Sequence, residues 1–290
     1  MITYEAKTWF KFIFTFHKSD AFRALLIPML ALCLVTLAFV YLNLTYFRFE
    51  VKNSTFFHQV IGFVLSMLLV FRINTAYDRW WEGRKQWGSL VNNSRNLMLK
   101  IAALVPDEYS EEKNQIGILV SNYALSLKDH LRDHYHSESI EFFPGFSKES
   151  LDKASHKPNF IASQILKRIY DLHTRSLIKA EHLLVLNEEV KSFTDITGAC
   201  ERIRNTPIPY SYSLYLKRII FLYVISMPFV LAIDFKYWAI LCVAVLFYTF
   251  ASLEVLSEEI EDPFGEDEND LSTDEIATKI KSNVSEILKY

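Results

Sequence analysis

The sequence predicts an all-α membrane protein with four transmembrane helices and a separate cytosolic helical domain. Mean hydropathy is positive, at +0.12, although 22% of the 290 residues are charged, so the apolar residues must be concentrated in particular segments. Only seven glycines and eight prolines are present, which excludes a collagenous or linker-rich chain. The net charge of −3 argues against nucleic acid as a partner.

Four charge-free runs identify the transmembrane helices. The first, at 24–47, is about 24 residues long, enough to cross a hydrocarbon core of roughly 30 Å. The second lies at 53–71, and the last two lie within 210–253, separated by a turn that contains Asp234 and Lys236. A single span would place those charges at the bilayer centre, so two helices joined by a turn fit better. The shorter runs could instead be core helices of a soluble protein, but the first run could not.

These runs divide the chain into five segments, which are a cytosolic N-terminal segment at 1–23, a first transmembrane hairpin at 24–71, a cytosolic helical domain at 72–209, a second transmembrane hairpin at 210–253 and an acidic cytosolic C-terminal segment at 254–290. Lysine and arginine are frequent beside the hairpins, whereas the hairpin turns carry only Arg48, Lys52 and Lys236. Because basic loops stay inside, the sequence predicts a multi-pass protein of the cell (inner) membrane with both termini in the cytoplasm.

The segment 72–209 has a helical pattern, with apolar residues at three- and four-residue spacings. A polar stretch at 134–158 predicts a loop or a pair of short turns. Near it, His130, His134 and His136 could bind a metal, but zinc sites usually add a Cys or a carboxylate at a fixed spacing and the third histidine lies in a polar loop, so a solvated polar turn is preferred. No catalytic arrangement of Ser, Cys or His is evident, and an enzyme is therefore not predicted.

The second span carries a stripe that is typical of a pore lining. Phe63, Met67 and Phe71 are spaced by four and share one helix face. Such a stripe often faces lipid or another helix, but here the pattern continues without a helix breaker into polar residues. The predicted polar collar consists of Arg72, Asn74, Asp78 and Glu82. Apolar rings can gate ions by dewetting and charged rings tune selectivity, so several copies would assemble around a central pore.

The tail after the fourth span is strongly acidic. Eight acidic residues occur among the thirteen at 258–270, around a Pro-Phe-Gly sequence. An acidic tail is usually solvated, but a turn at this sequence would bring the carboxylates together, and hard oxygen ligands suit Ca²⁺. The spacing is not that of an EF-hand. Calcium is thus an optional ligand in this interpretation, and no cofactor is required.

The sequence resembles the bestrophin family, and in particular its bacterial members. The block at 71–88, with an Arg-Trp-Trp triplet, is similar to the family's most characteristic sequence. The Asn-Thr-Pro-Ile-Pro sequence at 205–209 resembles the bacterial motif before the third span. The segment 262–270 resembles the animal calcium clasp, except that Asp262 replaces its leading Asn and Asn269 replaces one of its acids.

The resemblance implies a pentameric ion channel with one continuous pore. It places a hydrophobic neck on Phe63, Met67 and Phe71, in agreement with the stripe. It places a second constriction near the cytosolic exit, on Ile178, Glu181 or His182. It also implies Ca²⁺ ligands at Asp262, Asp267 and Asp270, although bacterial members need not share the calcium dependence of animal ones.

The permeant ion stays open at this point, because animal members conduct chloride whereas bacterial ones can favour cations. The expected partners are further copies of the chain, membrane lipid and permeant small ions. The alternative is a membrane-anchored cytosolic helical module that senses a ligand or binds a partner without conducting ions.

Overall fold

The computed structural model describes residues 20–47 and 54–289, and within these ranges the chain is helical with no β-strand. The helices are α1 (Asp20–Leu42), continued by a π-helical turn (Asn43–Phe47), α2 (Ser54–Leu104), α3 (Ser110–Leu131), α4 (Lys148–Asp152), α5 (Lys157–Thr174), α6 (Ala180–Asn205), α7 (Tyr210–Phe235), α8 (Trp238–Glu261) and α9 (Thr273–Ile287). The predicted all-α class is confirmed.

Four helices in these ranges are long and apolar enough to cross a membrane, which confirms the four predicted spans. They are Ala21–Phe47, Phe56–Leu104, Tyr210–Phe235 and Trp238–Glu261. The second belongs to α2, whose 51 residues form one helix without interruption. At 1.5 Å per residue it extends about 75 Å, more than twice the thickness of a hydrocarbon core. The helix contains no proline, and Gly83 and Gly88, which follow the apolar run, do not interrupt it.

The chain divides into two units after residues 79, 206 and 261. The span unit comprises the described residues 20–47, 54–79 and 207–261, and the body unit comprises 80–206 and 262–289. The basic N-terminal residues up to 19 and the first hairpin turn at 48–53 lie outside the described residues.

In the span unit, α1, α7 and α8 pack against one another. Its main apolar cluster consists of Leu65, Leu69, Ile220, Val224, Met227, Val243 and Phe250. Many other large apolar side chains of this unit are exposed, as a surface facing hydrocarbon requires.

In the body unit, α3 packs against α5 and α9, and α5 packs against α6. The core is built from the apolar faces predicted by the helical spacing, and Trp87 and Tyr123 are its largest fully buried aromatic side chains. The Tyr123 hydroxyl donates to the carbonyl of Phe193 at 2.6 Å, so its polar end is satisfied within the core.

Candidate pore helix and acidic clasp

The predicted neck residues form an exposed stripe on α2. Phe63, Met67 and Phe71 are 71%, 50% and 52% exposed, whereas Leu65 and Leu69 between them are buried. At about 100° per residue, the three exposed side chains fall within roughly 80° of the helix circumference. The apolar stripe is therefore a face that the described helices of the span unit leave uncovered.

Three of the four predicted collar residues continue this face. Asn74 and Asp78 are exposed and Glu82 is half-buried. By the same helical rotation they lie about 20°, 60° and 100° from Phe63. One sector of α2 thus passes from apolar to polar side chains along its length.

Arg72 differs from the other collar residues. It lies about 180° from Phe63 by the helical rotation, and it is only 1% exposed. Its Nη2 atom is 2.6 Å from Oε2 of Glu261, and its Nε atom is 3.8 Å from Oε2 of Glu254. The structure thus encloses Arg72 within the span unit instead of placing it on the exposed sector. The helical period predicts this burial, because it puts Arg72 on the side of α2 opposite Phe63. Grouping Arg72 with its neighbours in sequence hides that difference.

Glu261 connects this ion pair to the bacterial motif. Its Oε1 atom accepts a hydrogen bond from the Ile208 backbone N–H at 2.6 Å, and its carbonyl accepts one from Arg79 Nε at 3.0 Å. One acidic residue at the end of α8 therefore holds both α2 and the segment before α7.

The three residues proposed for the cytosolic constriction occupy different environments. Ile178 is buried, Glu181 is exposed in the first turn of α6, and His182 is half-buried. The Nδ1 atom of His182 accepts the Lys179 N–H at 3.3 Å. Leu184, which the sequence pattern did not single out, is the most exposed large apolar side chain among the described residues of the body unit, at 74%.

The clasp segment, residues 262–270, is anchored to α2 within the body unit. Phe264 is fully buried, and a Cβ atom on Gly83 would lie 3.1 Å from its ring. The indole nitrogen of Trp80 donates to the carbonyl of Asn269 at 2.9 Å. Gly83 and Trp80, both in the characteristic block, thus provide the seat for this acidic turn.

Asp270 is the buried acid of the clasp segment, at 2% exposed. Its Oδ2 atom accepts the Asp267 N–H at 2.7 Å, whereas its buried Oδ1 atom has no hydrogen-bond partner among the described residues. Burial, together with the nearby charges of Asp267 and Asp262, raises the pKa of Asp270 to about 7. A buried carboxylate with an unused oxygen is a suitable cation ligand, and Asp262 and Asp267 are exposed beside it. These residues fit Ca²⁺.

The predicted histidine group is divided in the structure. Nε2 of His130 lies 2.7 Å from Oε1 of Glu201, and Nε2 of His156 lies 2.7 Å from the same oxygen. Burial opposes ionisation of Glu201, but the hydrogen bonds from His156 and His130 outweigh it and lower the pKa of that carboxyl. The cluster of ligand atoms comprises His130, His156 and Glu201 and does not include His134 or His136, whose ring centroids are separated by 6.2 Å.

The chain belongs to the bestrophin family: the sequence model described as Bacterial/Fungal Bestrophin protein matches residues 1–286. A voltage-dependent anion channel-forming protein of Nostoc sp. (strain PCC 7120) is 37% identical over 229 residues, covering 77% of this chain and 74% of that protein. The voltage-dependent anion channel-forming protein YneE of Escherichia coli (strain K12) is 30% identical over 284 residues, covering 97% and 92%.

Solved structures agree with this assignment at the level of the fold. A crystal structure of a mutant bacterial bestrophin homologue from Klebsiella pneumoniae matches with a TM-score of 0.84 at 23% identity, covering 92% of this chain and 99% of that one. The predicted family is thus confirmed, and with it a membrane channel protein rather than an enzyme.

Proposed function

We propose that this chain assembles as a homopentamer that conducts small monovalent ions through a neck of Phe63, Met67 and Phe71. The observation that carries the proposal is the exposed sector of α2, apolar first and polar further on. Copies arranged around an axis would each contribute this sector to one pore, as cyclic symmetry requires. The names of the relatives, which describe channel-forming proteins, support the same conclusion.

The chemistry of the sector explains how such a pore would open and close. A ring of Phe63, Met67 and Phe71 excludes water when narrow, and an ion cannot shed its hydration shell there without compensation. Asn74 and Asp78 would offer polar contacts to an ion that has passed the neck. The acidic side chains favour cations, whereas the relatives are named as anion channels, so the sign of the permeant ion needs a direct measurement.

Ion flux into liposomes containing the purified protein tests the proposal. The triple substitution of Phe63, Met67 and Phe71 by Ala should give a constitutively leaky pore. The matched control replaces three exposed apolar residues of α7, which are Phe221, Leu222 and Phe229. Reversal potentials in asymmetric NaCl give the sign of the selectivity.

Each flux outcome has a clear meaning. Absence of flux in every salt would overturn the channel proposal and favour the membrane-anchored sensor module. Unchanged flux in the triple variant would remove these residues from the neck. Equal leak in the α7 control would show that the leak comes from loss of packing instead.

We further propose that the body unit and both termini face the cytoplasm of a cell-membrane protein, supported by the basic residues beside the hairpins. Single cysteines at the exposed positions Lys236 and Glu268, introduced into a variant that lacks Cys33, Cys200 and Cys242, test this orientation. A membrane-impermeant thiol reagent added to intact cells should label only the first, and the reverse pattern would contradict the proposal.

A further inference from the structure

We propose that the body unit binds one Zn²⁺ ion per chain through His130, His156 and Glu201. The three residues come from separate elements that pack together in this unit. His130 lies in the last turn of α3, His156 immediately precedes α5, and Glu201 lies in α6. The inference is independent of ion conduction, because none of the three belongs to the exposed sector of α2.

The geometry of the group is close to that of a zinc site. The two Nε2 atoms each lie 2.7 Å from Oε1 of Glu201, and all three ligand atoms lie within 4.8 Å of one another. Tetrahedral Zn²⁺ with bonds of about 2.0–2.1 Å separates its ligand atoms by about 3.3 Å. To admit the ion, each nitrogen–oxygen pair would open by about 0.6 Å, and the two nitrogens, at most 4.8 Å apart, would reach a similar separation of about 3.3 Å. Two imidazoles and one carboxylate are a common zinc ligand set, with water in the fourth position.

An ion can reach the group from solvent. The side chains of His130, His156 and Glu201 are 28%, 30% and 29% exposed, so none is sealed in the core. His130 also lines a polar cavity of about 170 Å³, together with Asp129 and Asp133. Lys157 also lines this cavity, and Asp129 and Asp133 pair with Lys128 and Arg204, so the entrance is polar rather than net negative.

Metal binding would compete with a hydrogen bond that the structure shows. Nδ1 of His156 accepts the Asn159 N–H at 3.2 Å, which caps the N-terminus of α5. This bond places the proton of a neutral His156 on Nε2, where it points towards Glu201. When Zn²⁺ takes Nε2, the proton must move to Nδ1, and the capping bond is lost. Binding should therefore loosen the first turn of α5.

Zinc binding to the full-length protein in detergent, first stripped with EDTA, tests the site. Equilibrium dialysis with metal analysis should give one Zn²⁺ per chain. His156→Asn keeps a side chain that caps helices well but removes the imidazole, and Glu201→Gln removes the charge. Each substitution should weaken Zn²⁺ binding by at least about tenfold. Even the loss of a residue that only hydrogen-bonds to a metal ligand costs about that much. His134→Asn is the matched control and should bind as the parent does.

The outcomes separate a zinc site from a group that is simply hydrogen-bonded. Absence of saturable binding, equal binding in parent, His156→Asn and Glu201→Gln, or an equal loss in His134→Asn would each overturn the proposal. Hydrogen exchange of the Asn159 amide in the parent gives a second readout that needs no variant. Faster exchange with Zn²⁺ supports the site, and unchanged exchange overturns it.

Discussion

The span unit and the body unit treat apolar side chains in opposite ways. In the span unit, some large apolar side chains are buried and others are exposed, so the polarity of a side chain does not determine whether it is buried. The body unit buries its apolar faces, and the exposed large apolar residues among its described positions are Trp81, Leu99, Tyr170, Leu184 and Val185. The difference shows that one part of the chain is adapted to hydrocarbon and the other to water.

The two units also differ in how they hold charge. Arg72 in the span unit is enclosed, and its Nη1 atom and both carboxylate oxygens of Glu254 have no hydrogen-bond partner among the described residues. In the body unit, Asp274 accepts from Lys128 and Arg132 at 2.8 Å and remains partly open to solvent. Burial opposes ionisation of Asp274, but these two cations outweigh it and lower its pKa. Arg72 and Glu254 are therefore more deeply enclosed than Asp274 but less completely hydrogen-bonded among the described residues.

The largest expected effect follows from removing the enclosed cation. Arg72→Leu leaves Glu261 and Glu254 without their partner, and we expect the free energy of unfolding to fall by about 3–5 kcal/mol. Lys191→Leu is the control, because Lys191 and Asp195 form an exposed pair worth about 0–1 kcal/mol. Denaturant unfolding in detergent micelles measures both. Equal losses would remove the contrast between enclosed and exposed charges.

A second prediction concerns the buried acid of the body unit. If Asp270 binds Ca²⁺, a Ca²⁺ concentration 100-fold above Kd should stabilise the protein by about 2.7 kcal/mol. Asp270→Asn keeps an acceptor for the Asp267 N–H but should abolish this stabilisation. Thermal unfolding with and without Ca²⁺ measures it. Equal Ca²⁺ shifts in parent and variant would exclude Asp270 as a ligand.

The pH dependence of the same site has a definite sign. The pKa of Asp270 in the folded protein, about 7, lies above its ordinary value of 3.8. Without Ca²⁺ the contribution of this carboxyl is therefore complete below about pH 4 and is lost as the pH rises through about 7. A Ca²⁺ ion at Asp270 would bind the ionised form, so its affinity should fall about tenfold per pH unit below pH 7. Titration calorimetry from pH 5.5 to 8 measures this slope, and a flat profile would contradict it.

A smaller effect is expected where the clasp segment meets α2. A Cβ atom on Gly83 would lie 3.1 Å from the ring of Phe264 and 3.2 Å from Pro263, tighter than ordinary contact. Gly83→Ala should therefore destabilise the body unit by about 1–2 kcal/mol and, if the clasp segment binds Ca²⁺, weaken that binding. Unfolding and Ca²⁺ titration measure the two effects. Unaltered values would show that Phe264 can move away without cost.

The smallest expected effect is an increase in stability. Gly198 lies inside α6, and a Cβ atom there would meet nothing within 4 Å. Gly198→Ala should therefore stabilise the protein by about 0.5–1 kcal/mol, through helix propensity alone. The same unfolding experiment measures it, and a loss of stability would reveal a contact at Gly198 in the assembled protein.

The sequence could predict the features that depend only on residues close together along the chain. Apolar runs identify the spans because their length alone decides whether a helix can cross a bilayer. The spacing of Phe63, Met67 and Phe71 gives their shared face because the helical period decides it. Arg72 was grouped with the collar by nearness in sequence, although the period separates it from that face.

The zinc ligand group proposed here could not be found in the same way. His130, His156 and Glu201 are far apart along the chain, and only the packing of α3, α5 and α6 brings them together. Nearness in sequence favoured His134 and His136 instead. Packing likewise explains why the Oδ1 atom of Asp270 has no hydrogen-bond partner among the described residues. No local pattern indicates which of several adjacent acids becomes buried.

The uninterrupted α2 helix has a consequence for how such a gene can change in length. Inserting one residue between Phe71 and Asn74 would turn all later side chains by about 100°, and Asp78 would leave the sector that begins at Phe63. An insertion of seven residues is nearly two full turns and would shift them by only about 20°. We therefore expect functional length variants of this helix to differ by sevens rather than by single residues.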